Sequence, residues 1–432
     1  MEIALYIWDF LVIGLLLLGI TLGSSWITRL PLSYALIYLI TGIFLGPYGF
    51  NIIDLKPDAE FLERLTEIVV LVSLFSCGIK MNRPLTWSAW HSTIRLIGLL
   101  MPLSIAAIAG VAHFALGIGW GAAILLGAIL SPTDPVLASE VQLVHTNDPN
   151  ELRFGLTSEG GLNDALAFPF VYFGLYLLDD ENWQAWLGDW LRIDLIWGIF
   201  AGILGGILVA KLIGALERRS RRLASIEEEV EDLIALATIL LTYSLTEMIN
   251  GYGFLAVFVA GVTVRRNRSI RADKKASQLH FTGLLERLLE IGTILLVGVL
   301  LRWEPIVTFG GQALLIALAL ILLIRPIATW ISTLGDDLRP ATRLLFGWFG
   351  IRGVGSLYYM AYALSEGLPE DLGAQISWIT VFTVALSVVI HGMSATPLMN
   401  WYEQRFGHES RMDPETLTNQ LDNDLEDNPK TL

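Results

Sequence analysis

Residues 158–168 read SEGGLNDALAF. The run WGAAILLGAIL (120–130) lies upstream and PFVYFGLYLL (169–178) follows directly. Glu159, Asn163 and Asp164 therefore stand in a segment whose surroundings are apolar. Glu159 and Asn163 are four residues apart and share a helix face. Asp164 lies one step further round, on the face of Gly160, so the two acids point in different directions.

The rest of the chain explains why this placement matters. Of its 432 residues 54% are hydrophobic and 16% charged, against about 25% charged in an ordinary soluble protein. The apolar residues come in runs of about twenty, enough to cross ~30 Å of hydrocarbon as helix. A membrane β-barrel would show alternating segments of about ten instead. Thirteen spans are expected near 5–25, 33–50, 65–80, 95–116, 119–142, 155–178, 193–215, 231–250, 253–265, 283–302, 311–334, 341–364 and 376–399. The opening MEIALYIWDF has no basic region, so it reads as the first span rather than a cleaved signal. With the N-terminus outside, seventeen Lys and Arg fall in inside loops and four in outside loops. That asymmetry sets N-out, C-in. Trp183, Trp186 and Trp190, in the acidic outside loop DDENWQAWLGDW, suit the interface. Segment 216–232 reads as an ion-paired surface linker helix.

The transmembrane part is expected over 1–402. Residues 403–432 form an acidic tail too poor in apolar residues to fold alone. Tail and loops account for the formal charge of −14 without an invoked partner. Cys77 is the only cysteine, so no intrachain disulfide forms. No phosphate-binding loop or dinucleotide fingerprint is present, and neither nucleotide nor nucleic acid is expected as a partner.

Few charges lie deep in the spans. Lys211 and Arg287 sit near span ends, where long side chains reach the interface. Arg325, Arg352, Asp134, Glu159 and Asp164 do not. A charge at mid-bilayer costs at least roughly 2.5–3.5 kcal/mol on insertion scales, so five together need pairing or water. On spacing, Glu159 is expected to pair with Arg352 and to steady Asn163. Asp164, with room beside Gly160 for a small cation and its water, is left free to change partners. Proton and cation would then compete for one carboxylate. His391 and His113 read as hydrogen-bonded packing residues, and the Gly-rich GVGSL does not fit G-x-S-x-G.

Two spans are interrupted. The fifth ends ILSPTDPVLASE (129–140), with prolines on both sides of Thr133 and Asp134. The twelfth contains GWFGIRGVGS (347–356), rich in glycine. Either alone reads as a kink. If thirteen spans divide as six, one and six, the two breaks occupy equivalent places in halves of opposite topology. Such paired broken helices mark a mid-membrane site. Facing half-helix ends carry partial charges of roughly half an electron. Asp134 would balance exposed N–H groups and Arg352 exposed carbonyls.

SPTDPV followed by E-x-x-x-N-D, together with LPLSYALIYLITGIFLGPYG (30–49), Arg325–Pro326 and FGIRG (349–353), resembles the NhaP/NHE-type branch of the monovalent cation/proton antiporters. The resemblance spans about residues 10–400. It implies an all-α membrane protein of thirteen helices, two inverted six-helix repeats with crossed, unwound helices, and a six-helix core moving against a dimerisation domain. It further implies Asp164 as the ion- and proton-binding carboxylate beside Asn163, and Thr133 and Asp134 in the unwound crossing. Glu159 and Arg352 would be a buried ion pair with Arg325 as its support. Two departures stand out. Ser76 in SLFSCGI (73–79) occupies the place of a Glu in the relatives' pattern LLFEGAL, and Gly160 replaces a frequent Ser or Thr.

The expected function is exchange of Na⁺, or else Li⁺ or K⁺, for H⁺, with the cation held by Asp164 and Thr133. It is a transport activity rather than an enzymatic one. With Asn163 in place of a second acid, the exchange should be electroneutral. No cofactor is expected beyond the transported ions. A homodimer in a bacterial inner membrane completes the expectation. The competing reading is a non-transporting pH or ion sensor on the same scaffold, motivated by Ser76.

Overall fold

A computed structural model describes residues 33–53, 58–134, 137, 141–143, 148, 150–179, 182–223, 232–267 and 272–406, with six helical positions between 11 and 22. Most of the first expected span, most of 135–149, the linker 224–231 and the tail from 407 lie outside the described residues.

Thirteen helices follow one another among the described residues: α1 Tyr34–Leu45, α2 Ala59–Lys80, α3 Trp87–Leu116, α4 Trp120–Leu130, α5 Glu151–Asp179, α6 Trp183–Ser220, α7 Leu233–Glu247, α8 Gly253–Arg266, α9 Ala272–Leu300, α10 Trp303–Ser332, α11 Pro340–Trp348, α12 Val354–Ser365 and α13 Glu370–Phe406. Five of them, α3, α5, α6, α10 and α13, are 29 to 38 residues long and apolar enough to cross a membrane. Large apolar side chains such as Phe114, Trp87 and Val307 face outward, as a lipid-contacting surface requires.

Local chemistry sets the ends. Asp58 accepts from Phe61 N at 2.7 Å and starts α2, which has Glu60 in its first turn and Lys80 in its last. Asn150 accepts from Leu152 N and Arg153 N and starts α5. Proline shapes the interiors. Pro102 follows a widened π turn over Leu96–Leu100, and Pro326 follows one over Ala319–Ile324. A proline has no N–H to donate and clashes with the carbonyl four residues back, and an extra residue per turn relieves both. In α5 Pro169 interrupts the helix at Ala167.

The fifth span leaves the helix after Leu130, at the proline-flanked break expected around Thr133 and Asp134, and most of 135–140 lies outside the described residues. One span differs from the sequence expectation. The tryptophan-rich segment expected as a loop is already helical from Trp183. Trp186 and Trp190 pack edge-on against Phe173, and Trp190 Nε1 donates to Pro169 O at 2.7 Å.

The helices sort into two packed groups. In one, α8 packs on α2, α6 and α7, and α9 packs on α1 and α2. Where α2 meets α8, Gly78 and Gly261 bring the backbones into contact, the small-residue packing that lipid favours. In the other, α4 packs between α3 and the second half of α5, and α10 packs on α11 and α13. The seam between the groups runs where α2 meets α5 and α12.

A candidate ion site where two broken helices cross

After Leu130 the chain leaves the helix through Ser131, Pro132, Thr133 and Asp134, all buried. After Trp348 it leaves again through Phe349–Gly353 before α12 begins. The two extended pieces touch: Asp134 N donates to Ile351 O at 2.8 Å. Opened backbone at this depth is tolerated only when its polar groups are satisfied by protein or by a cavity.

Charged side chains supply that satisfaction. Asp134 accepts from Val354 N, the first residue of α12, and from Leu137 N at 3.2 Å. A carboxylate thus faces the positive end of a half-helix. Arg352 is fully buried, and its Nη1 donates to Ser131 O at 2.6 Å and to Pro132 O at 2.8 Å, the carbonyls at the end of α4. Its main-chain N–H donates to Ser387 Oγ at 2.9 Å.

The ion pair of Glu159 differs from the sequence expectation. Its partner is Arg325, not Arg352. Arg325 Nη1 donates to Oε1 at 2.8 Å and Nη2 to Oε2 at 3.0 Å, the paired geometry that suits a guanidinium and a carboxylate. Arg325 Nη2 also donates to Phe346 O and Phe349 O at the end of α11. The physical reason is a division of labour between two helix ends. Each broken crossing leaves carbonyls bare, Arg352 serves those of α4, and only Arg325 reaches those of α11 and Glu159 together. Gly350 lets it through, because a Cβ there would collide with the Arg325 side chain.

The remaining polar residues face the same crossing. Asn163 Nδ2 donates to Thr133 Oγ1 at 2.8 Å, tying α5 to the first break. Asn163 Oδ1 and Asp164 Oδ1 are buried with no hydrogen-bond partner among the described residues. The Asp164 carboxylate lies against Gly355, where any Cβ would overlap it, and Tyr359, one turn along α12, donates its hydroxyl to the Asp164 carbonyl. A buried carboxylate oxygen and an amide oxygen, both unpaired, are hard ligands for a small monovalent cation, and one of them can also take a proton. Thr133, Asp134, Glu159, Asn163, Asp164, Arg325 and Arg352 are thus brought into one crossing.

Two contributors, Tyr359 and Gly355, carry no signal in the charge pattern, whereas Glu286 is a charge within the expected span 283–302. Glu286, on α9, accepts from Ser76 Oγ at 2.7 Å and lies 3.9 Å from Lys80 Nζ. Its place within the expected span 283–302, one turn before Glu290, was the available sign. His391 is buried, with Nδ1 2.8 Å from Ser387 O and Nε2 2.9 Å from Trp348 O, a packing role.

Spanning helices with a charge-compensated crossing of two breaks define a polytopic membrane protein with a buried polar centre. The chain belongs to the sodium/hydrogen exchanger family: the family's transmembrane model matches residues 12–401. It is 26% identical over 401 residues to the K⁺/H⁺ antiporter NhaP2 of Shewanella sp. (strain MR-4), covering 90% of this chain and 66% of that one. It is 25% identical over 414 residues to Na⁺/H⁺ antiporter 2 of Zygosaccharomyces rouxii, covering 86% and 50%. The chain therefore spans about half to two thirds of these curated relatives. Its fold is that of the sodium proton antiporter MjNhaP1 of Methanocaldococcus jannaschii, with a TM-score of 0.68 at 23% identity over 90% of this chain and 98% of that one.

Removing one partner of a buried pair leaves an unpaired charge and costs about 3–5 kcal/mol. Arg325→Ala should destabilise the protein by that amount, and Glu159→Ala should add little on top of it. Unfolding of the four-member mutant cycle in detergent checks this. Coupling of Glu159 to Arg352→Ala instead would overturn the pairing.

Proposed function

We propose that the protein exchanges a monovalent cation for H⁺ by alternating access at Asp164. The observation that carries the reading is the unpaired Asp164 Oδ1, buried beside the unpaired Asn163 Oδ1 at the crossing of two broken helices. Arg352 and Arg325 also have unpaired guanidinium N–H groups, but each is anchored by other hydrogen bonds, whereas no side-chain hydrogen bond holds the Asp164 carboxylate among the described residues. The printed activities of the relatives, K⁺/H⁺ and Na⁺/H⁺ antiport, agree with it and leave the cation open between Na⁺, K⁺ and Li⁺.

In this scheme Asp164 releases its proton in one facing state and takes a cation, with Asn163 Oδ1, Thr133 and break carbonyls completing the ligand set. The group of helices carrying the crossing then moves against the other group and the exchange reverses. Asp134, Arg352, Arg325 and Glu159 hold the crossing rigid throughout. The two breaks, each served by an arginine, support the view that the chain holds two inverted repeats. The basic inside loops support N-out, C-in, and bacterial relatives support a bacterial inner membrane. The protein would act as a homodimer.

The test is dye-reported proton flux in proteoliposomes loaded acidic and challenged with Na⁺, Li⁺ or K⁺. Wild type should alkalinise the lumen with at least one cation, and Asp164→Asn should abolish it. Silence of folded wild type across several pH values would leave a sensor as the reading. Flux surviving in Asp164→Asn would mean another carboxylate carries the ion.

Because one carboxylate alternates between a proton and a monovalent cation, no net charge crosses per cycle. A single uncompensated charge would be worth about 2.3 kcal/mol per 100 mV. Turnover in vesicles clamped with K⁺ and valinomycin should therefore change by less than about twofold over that range. The clamp fixes K⁺, so Na⁺ or Li⁺ serves as the driven cation. A steep voltage dependence would overturn the one-carboxylate scheme.

A further inference from the structure

One helical turn beyond Asp164, Phe168 sits at the centre of an aromatic cluster. Six rings surround it at centroid distances from 5.1 to 6.0 Å: Tyr172, Tyr252, Phe254, Tyr358, Tyr359 and Tyr362. On Tyr252 it lies nearly parallel, at 5.4 Å and 11°. Both rings form part of the wall of a cavity of about 340 Å³, which Asp194 and Glu247 also line. A second cavity of about 580 Å³ shares Tyr172 and Tyr176 with it. Asp164 itself is 2% exposed. Phe168 lines the cavity and packs edge-on at 5.1 Å against Tyr359, whose hydroxyl bonds the Asp164 carbonyl, so a layer of rings joins the cavity wall to the Asp164 main chain.

The two faces of that layer belong to different helix groups. Phe168 rides on α5 with Asp164, and Tyr358, Tyr359 and Tyr362 ride on α12. Tyr252 is held by the other group: its N–H donates to Gly198 O at 3.0 Å and its hydroxyl to Asp194 O, both on α6. Phe168 carries no polar atom that could replace the hydration of an ion, so a cation cannot pass while the stack is closed. Displacement of one group along the other would part Phe168 from Tyr252 while each keeps the bonds within its own group, with Trp190 Nε1 releasing Pro169 O as it happens.

We propose that Phe168 is the gating residue for Asp164 on the cavity side, closed by its stack on Tyr252. The gate resting on Asp164 as the ion site depends on the exchange reading; the seal over Asp164 does not, and the experiment separates them. In a Cys77→Ala background, Asp164→Cys places a lone thiol beneath the gate. Its modification by a cationic, membrane-impermeant methanethiosulfonate is timed in intact expressing cells and in inside-out vesicles. Phe168→Ala, and independently Tyr252→Ala, should speed labelling by about tenfold, the effect of losing one aromatic pair. The rise should occur only in the preparation exposing the C-terminal end of α5. Tyr252→Phe should stay within about twofold of the parent. Unchanged rates in both alanine variants would overturn the gate, and so would equal acceleration from both faces, which signals general loosening. With Asp164 intact, Phe168→Ala should release cation down its gradient without opposing proton movement. If wild type exchanges nothing, the exchange reading fails and the labelling still decides the seal.

Discussion

A backbone that opens inside a membrane must find partners for its polar groups, and the whole architecture follows from how this chain does so. Two helices break at one crossing, and the hydrocarbon around them offers no hydrogen bonds. The end of α4 is closed by Arg352, the end of α11 by Arg325, and the start of α12 by Asp134. Two cations and one anion would leave a net charge in a dry interior. Glu159 brings the total to balance by bonding Arg325 through both oxygens. Replacing a buried pair of this kind with apolar residues is often neutral for stability. Here that exchange is closed off, because each arginine also serves carbonyls that no apolar residue could satisfy.

Against this balanced set, Asp164 is the odd charge. Its position is strongly constrained and its charge is not. Gly355 leaves space for the carboxylate, Tyr359 holds the carbonyl, and Asn163 is tied to Thr133 by its amide nitrogen. Oxygens that are well placed and unpaired are expensive to bury. Under the exchange reading, a fold that keeps them so would have ligand positions ready before a cation arrives. Preorganisation of this kind lowers the cost of stripping water from a small ion.

Much of this was legible in the residues. Pro132 and the glycines of 347–355 announce the breaks, because each removes a donor or a side chain that a continuous helix needs. The five deep charges stand out against an apolar background. Span existence was legible and span extent was not: α6 begins at Trp183 because aromatic packing on Phe173 outweighs the acids around it. The partner of Glu159 was illegible for a different reason. Helical spacing places residues on faces of their own helix and says nothing of which arginine on another helix arrives there. That is settled by the carbonyls at each break, which no side-chain pattern records. Tyr359 was hidden likewise, since its work is done on a main-chain oxygen.

Ser76 shows how a missing acid can mislead. Read along the chain, serine at that position removes a carboxylate from α2 and weakens the case for ion exchange. Read in space, the serine hydroxyl donates to Glu286, and Ser73 lies 3.4 Å from the other oxygen of the same group. The carboxylate beside α2 is therefore present and comes from α9. Lys80, 3.9 Å away, offsets its charge. An acid delivered from a neighbouring helix has a longer reach and a different backbone anchor from one on α2 itself. The serine on α2 therefore marks a place where a carboxylate is supplied by the neighbouring helix, which a reading along one helix does not reveal.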